Sequence, residues 1–292
     1  MINKKYKDRL FAFIFGREEN KAWTLELYNA LNGSSYTDPN EIEITTLEDV
    51  LYMSMKNDVS ILLQDRLSLY EQQSTYNPNM PVRQLMYIGK LYDSYIERHS
   101  YNRYGTKIIP LPVPKLYVFY NGAKDIEDEI LYLSDAFPDN VDLNEADITV
   151  RVHLYNINKG HNKGIKDSCK PLSEYAWLVD TIRENKKSMA LEAAVDAAIE
   201  KMPKDFVIYS FLYKNRSEVK MNSLTEYDEE ATMEMFKRDA REEGWEEGRS
   251  EGENLVVTLM QKLYGAGRAK DAERAASDEA YRKELYKEFN LV

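Results

Sequence analysis

Residues 56–73 read Lys56-Asn-Asp-Val-Ser-Ile-Leu-Leu-Gln-Asp-Arg-Leu-Ser-Leu-Tyr-Glu-Gln-Gln73. Two apolar runs rich in Val, Ile, Leu and Tyr, 56–64 and 67–73, flank Asp65-Arg66, the pattern of a hairpin closed by a two-residue turn. With that turn, Gln64 faces Leu67, Ser60 faces Glu71 and Asp58 faces Gln73. Alternate side chains share a face of a strand, so Asp58, Glu71 and Gln73 all project from one side. Cross-strand neighbours lie about 5–8 Å apart, close enough for two carboxylates to hold one hard cation between them. The same spacing also suits two solvated charges on an ordinary hairpin, and the residues alone leave both readings open.

The surrounding sequence extends the hairpin into a sheet. Upstream, Leu10–Phe15 and the i, i+4, i+8 series Trp23, Leu27, Leu31 mark two helices broken at Gly16, the second stopped by Asn32-Gly33. Ile42 and Ile44 alternate with acidic and hydroxyl residues, as in a strand. Downstream, Leu85, Ile88, Tyr92 and Tyr95 predict a helix over ~81–98 with Pro81 in its first turn. The run Lys115–Asn121 has the length and aromatic content of a buried strand, and Ile148–Tyr155 alternates like another. After Cys169 the chain reads as helical, over Leu172–Glu184, Ala190–Lys201 and Phe206–Tyr213, then in a charge-dense tail from ~223. The expectation is an α/β fold with a mixed sheet flanked by helices, a first domain over 1–222 and a helical C-terminal extension over 223–292.

Composition bounds the function. The 292 residues are 43% hydrophobic and 12% aromatic, enough to build a core. A single cysteine, Cys169, excludes an internal disulfide, and no Cys/His cluster has zinc-ligand spacing. No run of about 18 apolar residues exists, and Leu10–Phe15 is too short for a secretory h-region. A soluble cytoplasmic protein is expected, with no membrane partner. The net charge of −11 argues at first against a polyanionic partner, but it is unevenly distributed. Residues 223–292 are net −7 and 125–147 net −9, leaving the remainder at +5, so nucleic acid stays open as a substrate.

The hairpin resembles the PD-(D/E)xK nuclease superfamily, and more closely the bacterial Rpn family of recombination-promoting nucleases, or putative transposases. The likeness is carried by Arg9–Gly16, Asn20, Leu25 and Leu31-Asn32; by Asn57-Asp58-Val59 and Glu71-Gln72-Gln73; by Arg83-Gln-Leu-Met-Tyr87; and by the Gly244, Gly248, Gly252 repeat of the tail. It implies a restriction-endonuclease-like core and Mg²⁺- or Mn²⁺-dependent endonucleolytic hydrolysis of DNA. On that resemblance Asp58 and Glu71 are metal ligands, with the Gln72 backbone carbonyl a third. Gln73 stands where the superfamily has lysine, so the pattern lacks a cationic helper there. An acidic residue from the first helices often joins such sites; Glu18, Glu19 and Glu26 compete, and Glu26 is the candidate. Arg83 and Tyr87 share a helix face, with Lys90 a turn on, suited to contacting DNA or supporting Gln73. The alternative is an inactive nuclease fold working as a binding or oligomerisation module through its tail, with Trp245, Leu255, Leu259 and Leu263 as anchors.

Other motifs carry less. His99, His153 and His161 are scattered, and Cys169 has no neighbouring base. Asn156–Lys170, with its four lysines, reads as a solvated loop or as one contacting phosphate. Gly160 and Gly164 do not make a Walker loop.

Overall fold

The computed structural model describes residues 10–46, 58–223, 255–289 and 291. The chain divides into two compact units, Met1–Glu230 and Ala231–Val292.

The first unit is an α/β layer structure. Its elements run α1 (Leu10–Phe15), α2 (Lys21–Asn32), β1 (Ile42–Ile44), β2 (Val59–Leu63), β3 (Arg66–Gln73), α3 (Met80–Arg98), β4 (Val113–Tyr120), β5 (Glu129–Tyr132), β6 (Arg151–Asn156), α4 (Lys163–Ser168), α5 (Lys170–Lys186), α6 (Leu191–Lys201) and α7 (Tyr209–Lys214). Six strands form one mixed sheet in the order β1-β2-β3-β4-β6-β5. β1, β2 and β3 pair antiparallel, β3, β4 and β6 run parallel, and β5 returns antiparallel on β6.

Period-two alternation sends the two sides of each strand into separate cores. On one face Val59, Ile61, Leu63, Tyr70, Tyr117 and Phe119 pack against α1, α2 and α5, led by Phe11, Phe15, Tyr28 and Tyr175. On the other, Leu67, Leu69, Leu116, Val118 and Tyr120 pack against Met80, Tyr87, Ile88 and Leu91 of α3. β3 and β4 are therefore covered on both sides, which is why they read as apolar runs rather than strict alternations.

The hairpin forms one register step away from expectation. Its turn is Gln64-Asp65 rather than Asp65-Arg66, giving Leu63↔Arg66 and Val59↔Tyr70. Gln64 takes φ of 52°, the left-handed region a tight turn requires and one glutamine rarely advertises. The pairing moves by two residues, so every side chain keeps its face.

Two small elements lie where none was expected. β5 falls in the acidic stretch, and of its residues only Leu131 is buried, so it carries no readable alternation. α4 occupies the lysine-rich segment after β6. Helix α2 ends as expected, with Gly33 at φ 61° accepting the left-handed stop.

The second unit contains a helical stretch over 255–265, α8 (Ala269–Ser277) and α9 (Glu279–Glu288). Leu259, Leu263, Ala272, Ala275 and Leu285 form its own core, so two of the three leucines expected to anchor a partner are buried within the unit, while Leu255 is part-buried. Gly244, Gly248, Gly252 and Trp245 lie outside the described residues. Among the described residues no helix is long and apolar enough to cross a membrane.

Gly122 closes β4 at its carboxyl end. A Cβ there would stand 2.0 Å from the Ser74 carbonyl oxygen and 2.4 Å from the Tyr120 hydroxyl. Gly122→Ala is expected to destabilise the first unit by about 1–3 kcal/mol through overpacking, seen as a lower urea midpoint at unchanged slope.

Candidate functional site

β3 ends in three consecutive polar side chains, Glu71, Gln72 and Gln73, with relative exposures of 1%, 1% and 7%. A polar group buried on a strand must be hydrogen-bonded or it costs stability. Ladder pairing between β2 and β3 stops at Val59↔Tyr70, and immediately beyond it the side chains take over the hydrogen bonding. The Gln72 amide N–H donates to Asp58 Oδ2 at 2.6 Å, and the Asp58 amide N–H donates to Glu71 Oε2 at 3.3 Å. Each carboxylate thus grips the backbone of the other's strand, and Asp58 is itself only 6% exposed. The two acids are brought together at the end of the hairpin, opposite one another rather than staggered.

Glu71 also meets a cation. Arg83, on the first turns of α3, donates to Glu71 Oε1 at 2.6 Å and to the Tyr87 hydroxyl at 3.0 Å. Helical spacing aims Arg83 and Tyr87 at the same strand end. Burial, reinforced by the Glu71 charge and opposed by Arg83, raises the Tyr87 phenol above its usual value, so it stays neutral. The cation at this strand end therefore comes from α3 and not from position 73. Lys90 lies a turn beyond Tyr87, part-buried.

Gln73 points to the α3 side as well, where its Nε2 lies 2.6 Å from the Met80 sulfur. Its Oε1 is buried without a hydrogen-bond partner. Gln73 thus keeps an unpartnered buried acceptor, suited to a water or a cation. Gln72 turns to the other face, donating through Nε2 to Asn121 Oδ1 at 2.7 Å, while Asn121 donates to the Tyr175 hydroxyl at 3.4 Å.

Glu26 does not join this group. It sits on α2, across the sheet from α3, and its Oε1 accepts the Lys170 amide N–H at 2.6 Å, holding the first turn of α5. An acid at a helix start is stabilised there by the exposed amides and the helix dipole. Glu18 and Glu19 pair with Lys21 and Arg17. Among the described residues no three His, Cys, Asp or Glu side chains cluster as metal ligands. The oxygen donors that fit a hard cation are Asp58, Glu71, the Gln72 carbonyl and the unpartnered Gln73 Oε1, a set matching the preference of Mg²⁺ for few carboxylates.

The remaining motifs resolve structurally. His161 Nε2 lies 2.9 Å from Asp125, His99 bonds its own helix at Tyr95, and His153 stacks among Tyr117 and Tyr155. Cys169 is fully buried, and burial pushes its thiol well up, away from nucleophilic use.

In comparisons with protein-family models, with curated proteins and with solved structures, nothing matches this chain.

Two outcomes follow from this geometry. Removing one partner of a buried ion pair leaves the other uncompensated. Arg83 is 31% exposed, so Arg83→Met is expected to cost about 1–3 kcal/mol, less than a fully buried pair. Glu71→Gln/Arg83→Met should recover most of that loss, the coupling being read from a double-mutant cycle in urea. Native Cys169 should resist alkylation by iodoacetamide at pH 8 and react only on unfolding, as followed by mass spectrometry.

Proposed function

We propose that this chain is a Mg²⁺-dependent DNA endonuclease acting in the cytoplasm, with Asp58 and Glu71 as its metal-holding acids. The observation that carries the reading is the convergence of these two carboxylates at the open end of the β2–β3 ladder, each fixed by the other strand's backbone. Ordinary hairpin charges would be solvated, whereas these are buried. The resemblance of Asn57-Asp58-Val59 and Glu71-Gln72-Gln73 to the Rpn nucleases supports the same reading, as does the positive balance of the chain outside its two acidic stretches.

In this reading Asp58, Glu71 and the Gln72 carbonyl hold the ion. The bound ion would polarise a phosphodiester and lower the pKa of an attacking water. Gln73 Oε1 accepts a hydrogen bond from that water and fixes its orientation. Arg83 offsets the charge of Glu71 and holds its carboxylate in place, with Tyr87 fixing the guanidinium in turn. Positioning of this kind lowers the barrier by removing orientational freedom before reaction.

A second reading is a nuclease fold without catalysis, working as a binding or oligomerisation module through its C-terminal helices. One observation favours it: the chain's own Arg83 already occupies one Glu71 oxygen at 2.6 Å, supplying the counter-charge that an ion would otherwise provide.

Plasmid nicking separates the two. The nuclease reading expects supercoiled DNA to be relaxed with Mg²⁺, and Asp58→Ala to lower the rate by at least about 100-fold, on the order of 3 kcal/mol in the barrier, while circular dichroism stays native. Absence of cleavage with Mg²⁺ and Mn²⁺, or cleavage that survives Asp58→Ala, rejects it.

A further inference from the structure

An open cleft of about 880 Å³ lies in the first unit where β4 and β6 end, between the loops that follow them and the outer side of α5. Open α/β sheets bind ligands in such crevices, beyond the carboxyl ends of parallel strands where connections diverge. Six Lys or Arg and three Asp or Glu line it. Each acid is already engaged: Asp125 with His161 at 2.9 Å, Asp180 with Arg183 at 3.1 Å, Glu184 with Lys187 at 2.7 Å. Lys124, Lys159 and Lys201 are exposed, and none makes a side-chain hydrogen bond or ion pair among the described residues. Lys159 also feels the Asp180 charge, but six cations against three acids leave the concavity with a positive balance that attracts an anion with several oxygens.

Trp177 adds a second chemical element. It lines the cleft from α5, part-buried, its ring centroid 5.6 Å from that of Phe206 in a T-shaped arrangement. An indole among lysines combines a stacking surface with phosphate recognition, the pairing used for unpaired bases. We propose that this cleft binds a nucleotide unit, its phosphate taken by Lys124, Lys159 and Lys201 and its base laid against Trp177. The unit is a free nucleoside phosphate or the unpaired end of a nucleic-acid strand, which share this chemistry. The site is separate from Asp58 and Glu71, since α5 covers the sheet face opposite α3.

The test uses the full chain in EDTA, so its outcome does not depend on whether Asp58 and Glu71 hold a metal. Binding of fluorescein-labelled dT10 is followed by anisotropy and binding of ADP by calorimetry. Binding of dT10 alone assigns a strand end, and binding of ADP alone a free nucleoside phosphate. For the probe that binds, Lys159→Glu/Lys201→Glu should weaken affinity by about tenfold or more, and for dT10 it should flatten the salt dependence by about 1.4, or ~0.7 per lysine. Trp177→Leu should weaken it by about fivefold or more at unchanged melting temperature, and Trp177→Phe, which keeps a stacking face, should retain most of it. The proposal is overturned if neither probe binds, if the charge-reversal or Trp177→Leu variant leaves affinity unchanged, or if a blunt 20-base-pair duplex binds as tightly as dT10.

Discussion

A strand covered on both faces cannot carry polar side chains without committing the neighbouring elements to them. β3 carries Glu71, Gln72 and Gln73 in succession, and much of the first unit is arranged to satisfy them. Alternation sends Glu71 and Gln73 toward α3 and Gln72 toward α5. Arg83 and Met80 on α3 answer the first two, and Asn121, at the end of β4, answers the third. The parallel pairing of β3 and β4 in register over Gln73↔Tyr120 is what places Asn121 beside Gln72. One oxygen, Gln73 Oε1, is left over, one of five buried side-chain polar atoms without a hydrogen-bond partner among the described residues.

The layers and the sheet strands with strong apolar content were legible because period and composition agree there. Lys115–Asn121 and the hairpin read as strands, and the 81–98 helix announced itself through Pro81 and its apolar stripe. The slip in the hairpin shows where such reading stops. Two-residue loops at Gln64-Asp65 and Asp65-Arg66 bury the same side chains, so hydrophobic pattern cannot separate them, and only the positive φ of Gln64 decides. The site survived the slip because a shift of two leaves the faces alone. β5 was hidden for the opposite reason: a strand with one buried residue has no period.

The site was legible as a set of residues but not as a set of contacts. Asp58 and Glu71 could be put on one face by counting. That Arg83 spends its charge on Glu71 rather than on a ligand could not be, because it depends on how closely α3 approaches the strand end. The vacancy left by a glutamine at position 73 was the available signal, since a buried acid there must find a cation from some other element. Glu26 illustrates the limit from the other side, as three acids at similar spacing in the first helices gave no basis for choosing, and its real partner lies 144 residues away at the start of α5. The lysines of 156–170 were visible as composition, but that only Lys159 and Lys166 of the four border a cleft depends on where α5 meets the strand ends.

The contact chain Gln72–Asn121–Tyr175 has a mechanical meaning beyond satisfying Gln72. Tyr175 belongs to the helix that also bears Trp177, and the Gln72 amide is the group that clasps Asp58. Helix α5 and the acid pair are thus joined by a chain of side-chain contacts whose last link, Asn121 to Tyr175, is long at 3.4 Å. A tilt of α5 would strain that 3.4 Å link before the 2.6 Å and 2.7 Å contacts at Gln72, so the acid pair is held more firmly by its own two strands than by the helix behind them.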